Sequence, residues 1–349
     1  MLIKIALTAI ELSAFDQAAL EAAVSELLRA HRLGFHLLVI SRESADYLAN
    51  LDLGAQNKAL LRKLYAEFTQ TGALHKKASV YLNLSAGDNF SINGNAVDTP
   101  LKFITHENIG SPADILLEDA SNDGFIVDFV LRNIGDVLRL PRVSFELRHG
   151  GGSGVVKEFR RAITDRKICL CLLDTDCKSP NSQACSVTRQ VLAAEDGTWP
   201  LARAIPLPCH EIENVISWEV VRLLSCAVRC GWNAFIPRIE AWEEANSVPR
   251  TERFWLYFDV KSGLSSDQAS DFPLEDKVWL EQRVKAAGLG APPWSHRGYG
   301  ENVIPILKGS NAALAEMRRT VRSKAWLSVF GPFWDTVAWF FAASSRLLT

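Results

Sequence analysis

The feature that most limits how this chain can fold is an alternation between residues 111 and 176. Three short apolar runs, Ile115–Leu117, Val143–Leu147 and Ile168–Leu173, are separated by Gly124–Leu138 and Val155–Ile163, where apolar residues recur at helical spacing. Strand, helix, strand, helix, strand is the order of a parallel, layered α/β sheet. Ile168–Leu173 is apolar throughout, as expected of a strand buried on both faces. Open α/β sheets bind ligands just beyond the carboxyl ends of their strands, and here two runs end in acid: Glu118-Asp119 after the first and Asp174-Thr175-Asp176 after the last.

Residues 1–110 read as a small α/β unit with strands at Ile3–Ala9 and Phe35–Ser41 and helices at Ala14–Arg32, Ser44–Asn50 and Asn57–Gln70. Lys77–Leu84 alternates like a strand, and Ser85–Asp98 has loop or hairpin composition. The opening strand, helix and "HLLVIS" strand resemble PIN-like nuclease folds. Those folds need an acid at the end of the first strand, where this chain has Ala6-Leu7-Thr8-Ala9. The unit is therefore expected to be structural or partner-binding. Residues 111–218 form the second expected domain. A helix from Val215 to Cys230 is expected across the boundary, and residues 219–349 form a mainly helical third region; within it, Thr251–Leu264 reads as an aromatic strand or helix edge.

With 38 basic and 40 acidic side chains, the formal net charge is −2. This excludes a broad basic field, so any nucleic-acid contact must use local cations or metals. Seven irregularly spaced cysteines and an N-terminal stretch without signal-peptide composition point to free thiols and the cytoplasm. Cys209, His210, Cys226 and Cys230 lack zinc-finger spacing; Cys226 and Cys230, four apart, read as one buried helical face. In the aromatic stretch Ala325–Ala343, Gly331-Pro332 interrupts the run and Asp335 lies inside it. These features argue against a membrane span and for a short, broken, buried helix. Such a helix is too short to hide Trp326, Phe330, Phe333, Trp334, Trp339 and Phe340, so an association surface is expected there.

Two carboxylates at i and i+2 after a buried strand can reach one hard cation, which prefers oxygen ligands and keeps waters for a phosphate to displace. Glu118 joins them if its strand neighbours that of Asp174. Glu213, in His210-Glu211-Ile212-Glu213-Asn214, is a further candidate. Lys261 would place a fixed positive charge near a phosphoryl group. His149 and His210 flank the site and are read as supporting residues. Gly150–Gly154 lacks the Gly-Lys-Ser/Thr of a P-loop and is read as a tight turn, so any ATPase function would belong to a partner.

The order of a glutamate after a short strand, nearby acids, a helix, a glycine-rich segment, a strand ending in DxD and a later "IEN" resembles the TOPRIM domain. The resemblance is closest to the nucleases named for overcoming lysogenization defect and to the stand-alone TOPRIM effectors of phage defence, and it covers roughly residues 111–218. It implies a Rossmann-like, mostly parallel TOPRIM domain, with Glu118 as catalytic and metal-binding glutamate and Asp174 and Asp176 as the DxD. It also implies magnesium or manganese, with two ions about 4 Å apart activating water. The implied function is a nuclease toxic to the infected cell, acting on DNA, RNA or tRNA and held in check by a partner ATPase. Two departures stand out. The family's glycine after the glutamate is Asp119, and its next aspartate falls on Asn122, with Asp123 one position later. Either the loop carries one extra residue or that ligand is lost. The second reading is a decayed TOPRIM module that binds or senses without turnover.

Overall fold

The computed structural model describes residues 1–228, 230–290 and 292–346. Near the amino terminus, β1 (Leu2–Ile5), β2 (Leu37–Ile40), β3 (Tyr81–Ser85), β4 (Ser91–Asn93) and β5 (Ala96–Pro100) form a sheet in the order β2-β1-β3-β5-β4. Its pairs are parallel except β4–β5. The helices α1 (Ala9–Ser13), α2 (Gln17–Leu33), α3 (Arg42–Leu48) and α4 (Gly54–Thr71) surround it. Three of these helices begin at Thr8, Asp16 and Ser41, whose side chains accept from backbone amides of the first turn. The Ser85–Asp98 hairpin is β4 turning into β5.

The second sheet contains β6 (Asp114–Leu117), β8 (Glu146–His149), β9 (Cys169–Leu173) and β10 (Ala202–Pro206), preceded at its exposed edge by the short β7 (Arg142–Val143). Its order is β10-β9-β6-β8 and every pair is parallel. β6 and β9 are buried at every position. The second apolar run is displaced: the strand expected at Val143–Leu147 lies at Glu146–His149, paired with β6 but exposed. β7 pairs instead with a carboxyl-terminal strand, and β8 is an exposed edge carrying Glu146 and Arg148. Charged side chains on an edge of this kind discourage pairing with other chains. α5 (Asp123–Leu138) links β6 to β8 on one side, and α6 (Val155–Thr164) and α7 (Ser186–Ala194) carry the chain back through β9 to β10 on the other. The direction of winding therefore reverses between β6 and β9, the crevice where such sheets take ligands.

The remainder contains α8 (Trp218–Val221), α9 (Trp232–Ala245), strand β11 (Gly263–Ser265), α10 (Ser266–Ser270), α11 (Leu274–Ala287), strand β12 (Ser295–Arg297), α12 (Val303–Lys308), α13 (Asn311–Val321), α14 (Lys324–Phe340) and strand β13 (Ala342–Ala343), the partner of β7. The expected helix from Val215 to Cys230 is replaced by the short α8 between 3₁₀ turns, and position 229 lies outside the described residues. Cys226 and Cys230 are half-buried outside any α-helix, and all seven cysteines are free. Thr251–Leu264 is mainly irregular, with 3₁₀ turns at Arg250–Glu252 and Phe254–Leu256 and β11 starting at Gly263.

The carboxyl-terminal helix differs most from expectation. α14 runs unbroken through Pro332. A proline inside a helix costs about 3 kcal/mol, but burying a tryptophan or phenylalanine is worth a comparable amount each. Trp326, Phe330, Trp334, Trp339 and Phe340 are all buried and Phe333 is partly covered, with α14 packed on α5. Trp326 Nε1 donates to the Val215 carbonyl at 3.0 Å. These aromatics therefore leave no exposed patch for the expected self-association. One continuous core joins residues of the first sheet, the second sheet and the carboxyl-terminal helices. Among the described residues, no helix is long and apolar enough to cross a membrane.

Candidate functional site

β6 and β9 are neighbours in parallel register, with Leu116 opposite Cys171, so Glu118 and Asp174 leave the sheet at the same end. Glu118 is half-buried. Its carboxyl is pushed up from the usual range by burial and then by the negative charges of Asp176 and Asp123, with Lys261 opposing. Its backbone is fixed by the glycine-rich turn: Gly150 N–H donates to the Leu117 carbonyl and Gly151 N–H to that of Glu118, at 2.7 and 3.1 Å. A side chain at Gly150 would strike Val155, and Gly151 and Gly152 have positive φ. The segment is thus a tight turn, as expected.

The loop after Glu118 holds Asn122 and Asp123 in different surroundings. Asp119 accepts from the Ser121 and Asn122 amides at 2.8 and 3.3 Å and from Asn122 Nδ2 at 2.9 Å. Burial alone would raise the Asp119 carboxyl, but these hydrogen bonds hold it low. Asn122 is thereby tied to the loop, and its Oδ1 takes a hydrogen bond from Lys308. Asp123, the first residue of α5, faces the other carboxylates. Its pKa is raised to about 6, chiefly by burial, with Asp119 and Glu211 among the charges adding to it. Asp123 also accepts the Asp119 amide at 3.2 Å.

The Asp174–Asp176 turn interlocks with the segment after β10. Asp174 Oδ1 accepts the Ile212 amide at 3.0 Å, Thr175 Oγ1 donates to the Cys209 carbonyl at 2.6 Å, and the amides of Thr175 and Asp176 both donate to the His210 carbonyl at 2.9 Å. Asp176 has φ 54°, an uncommon conformation for a residue with a Cβ, and its side chain is exposed. Asp174 is pushed well above the carboxylate range by burial and by Asp123, Glu213 and Glu211.

Asn214 fastens this segment to the next. Its Nδ2 donates to the carbonyls of Trp255 and Phe258 at 2.6 and 2.8 Å, and its Oδ1 accepts the Glu211 amide at 2.9 Å. That contact fixes the turn carrying Asp259 and Lys261. A side chain on Gly263, at φ +81°, would collide with the backbone of His296–Gly298, so only glycine closes this turn. Lys261 Nζ lies 2.9 Å from Glu211 and 3.2 Å from Glu213. Burial would lower its pKa, but the two glutamates more than reverse this and keep it an ammonium. Glu213 is raised to about 7 by burial and then by Glu211. Glu211 Oε1 and Glu213 Oε2 are buried without a hydrogen-bond partner.

Glu118, Asp123, Asp174, Asp176, Glu213 and Lys261 are thus brought to one end of the sheet. Glu118, Asp174 and Asp176 do not, however, form a compact three-ligand cluster. Among the described residues, the triad with ligand atoms within 4.8 Å of one another is His210, Glu211 and Asp259. Glu211 and Asp259 are additions to the sequence-derived set, signalled only by their i, i+2 spacing to Glu213 and Lys261. Burial and then the charge of Lys178, whose Nζ is 3.2 Å from Nε2, push the buried His210 imidazole down, while Nδ1 meets the Cys177 carbonyl at 3.1 Å. His149 Nδ1 accepts the Ala120 amide at 3.3 Å and supports the Glu118 loop.

The crowding predicts a pH dependence. Glu213 binds its proton more tightly in the folded chain, about 7 against an ordinary 4.5, and so does Asp123. Stability is therefore full while both are protonated and falls as pH rises from their ordinary values through the folded ones. For Glu213 the loss is on the order of 3 kcal/mol. In chelator, Glu213→Gln should match the parent's melting temperature at pH 4.5 and exceed it at pH 8; a constant difference would contradict the assignment.

No family model matches the chain, and neither does any curated protein or solved structure.

Proposed function

We propose that the chain is a divalent-metal-dependent nuclease of the TOPRIM type. The observation carrying this reading is the gathering of Glu118, Asp123 and Asp174 at the carboxyl ends of adjacent parallel strands, beside two buried carboxylate oxygens that lack partners. Carboxylates packed this closely repel one another unless a cation or protons intervene. The proposed donors Glu118, Asp123, Asp174, Asp176 and Glu213 all offer oxygen, as magnesium or manganese prefers, and would have to draw together to hold one or two ions, with Glu211 as a further donor. Such a metal, when bound, supplies an acidified water and neutralises charge on the phosphodiester.

Glu118, half-buried and already raised in pKa, is the group suited to take a proton from the attacking water. Lys261 keeps a fixed positive charge at the acidic centre, where charge develops on the phosphate. The wider expectations of the resemblance belong to the same proposal: a nucleic-acid substrate, a cytoplasmic effector role in phage defence, and restraint by a partner ATPase.

A second reading has an observation of its own. Lys261 already pairs with both Glu211 and Glu213, so part of the acidic charge is offset without metal. This favours a module that binds or senses without turnover. Incubating the purified chain with plasmid DNA and total tRNA, in magnesium, manganese or chelator, separates the two. Metal-dependent cleavage supports the nuclease; manganese binding by calorimetry with no cleavage of either substrate supports the second reading.

A further inference from the structure

One concave surface outside the acidic centre has the opposite charge. It is a recess of about 480 Å³ along α5, bounded by α13 and the residues before β7. Arg132, Arg142, Arg318 and Arg322 line it together with Asp128 and Asp136, so four positive and two negative charges leave a local formal charge of +2 on a chain whose total is −2. All four arginines are exposed. Arg132 is steadied by Asp128 at 2.8 Å, and Arg322 by Asp136 at 2.6 Å and Asn133 at 3.2 Å. These contacts pre-order the guanidinium groups without cancelling the excess.

The recess also holds partly buried aromatic rings. Phe125 and Phe129 line it one helical turn apart, with the Arg318 guanidinium 6.0 Å from the Phe129 ring centre. Flat rings beside cations suit unpaired bases beside phosphates. The track continues to the acidic centre. Lys308 Nζ sits 5.5 Å from the Phe125 ring centre and donates to the Ser121 carbonyl at 2.8 Å, two residues before Asp123.

We propose that this recess guides an unpaired stretch of nucleic acid along α5 toward Glu118 and Asp123. The inference rests on the nuclease reading for its direction, but the binding itself needs no chemistry. Single-strand character follows from shape: a recess of this size admits individual nucleotides, not the side of a duplex.

Fluorescence anisotropy of the full chain with labelled oligo(dT), in chelator and across a salt series, tests it. Arg142→Ala, Arg318→Ala and Arg322→Ala combined should weaken binding at least tenfold. The slope of log affinity against log salt should fall by roughly 2, since each lost single-strand phosphate contact removes about 0.7. The corresponding triple lysine variant should keep most of the affinity. If the alanine variant melts well below the parent, Arg318→Glu alone, on the exposed face of α13, carries the test and should weaken binding at least fivefold. Unchanged affinity in the folded variants overturns the proposal, as does equal affinity for a duplex or for a poly-glutamate peptide of matched charge. The outcome is separable from the nuclease reading: arginine-dependent binding without cleavage leaves the groove standing and removes the nuclease, and cleavage without arginine dependence does the reverse.

Discussion

Metal-dependent cleavage should fall by more than about 100-fold when Asp174 and Asp176 are both replaced by asparagine, with little change in melting temperature in chelator. Groups that merely support metal ligands are worth on the order of 10–100-fold, so losing two ligands should exceed that range. Asparagine is the informative replacement because Asp174 Oδ1 accepts the Ile212 amide, and alanine would leave that amide without a partner. The amide side chain keeps the hydrogen bond and removes only the charge. Asp174 is already driven toward its neutral form by burial and by Asp123, Glu213 and Glu211, so a neutral isostere relieves repulsion in the metal-free chain. Gel assays on plasmid and tRNA read the first half, and thermal unfolding reads the second. If the double variant cleaves like the parent, the chemistry lies elsewhere.

The second large effect concerns Lys261. Lys261→Met leaves Glu211 and Glu213 facing each other in a buried setting without their cation. Removing one partner of a buried pair costs about 3–5 kcal/mol, and the lower end applies because the Lys261 side chain retains 27% exposure. Denaturant unfolding at pH 8 in chelator should show this loss. Adding Glu213→Gln should recover most of it, since the double variant lacks both the cation and one of the repelling charges. Manganese should also restore stability to the single variant if the acidic set takes a metal. A loss no larger than that of an exposed lysine, or no recovery in the double variant, would show that the pair does not govern this region.

The parallel sheet was legible because β6 and β9 are buried on both faces and so appear in the sequence as unbroken apolar runs. Their acidic ends were legible for the same reason, since each run stops abruptly at a carboxylate. The different surroundings of Asn122 and Asp123 were not, because they depend on Asp119 capturing the Ser121 and Asn122 amides.

The Val215–Cys230 segment has apolar spacing suited to a helix, yet its first turn is diverted by tertiary hydrogen bonds. Trp255 Nε1 takes the carbonyls of Asn214 and Ile216, and Trp326 Nε1 takes that of Val215. Those acceptors are the ones a continuing helix would have used. At Pro332 the balance ran the other way, with aromatic burial along α14 overriding a local helix breaker. The contribution of Glu211 and Asp259 was hidden because it arises only when Asn214 binds the Trp255 and Phe258 carbonyls.

The interlock of the Asp174 turn, the His210–Asn214 segment and the Lys261 turn divides the acidic centre between two stretches of chain. Glu118, Asp123, Asp174 and Asp176 precede the exposed turn at Gly197, and Glu211, Glu213 and Lys261 follow it. A cut at that turn would yield two fragments, each with an incomplete set and each missing strands of the same sheet, since β10 belongs to the later piece and β9 to the earlier. Neither fragment would carry the whole acidic set. The whole acidic set would be present only where β10 of the later piece pairs with β9 of the earlier one.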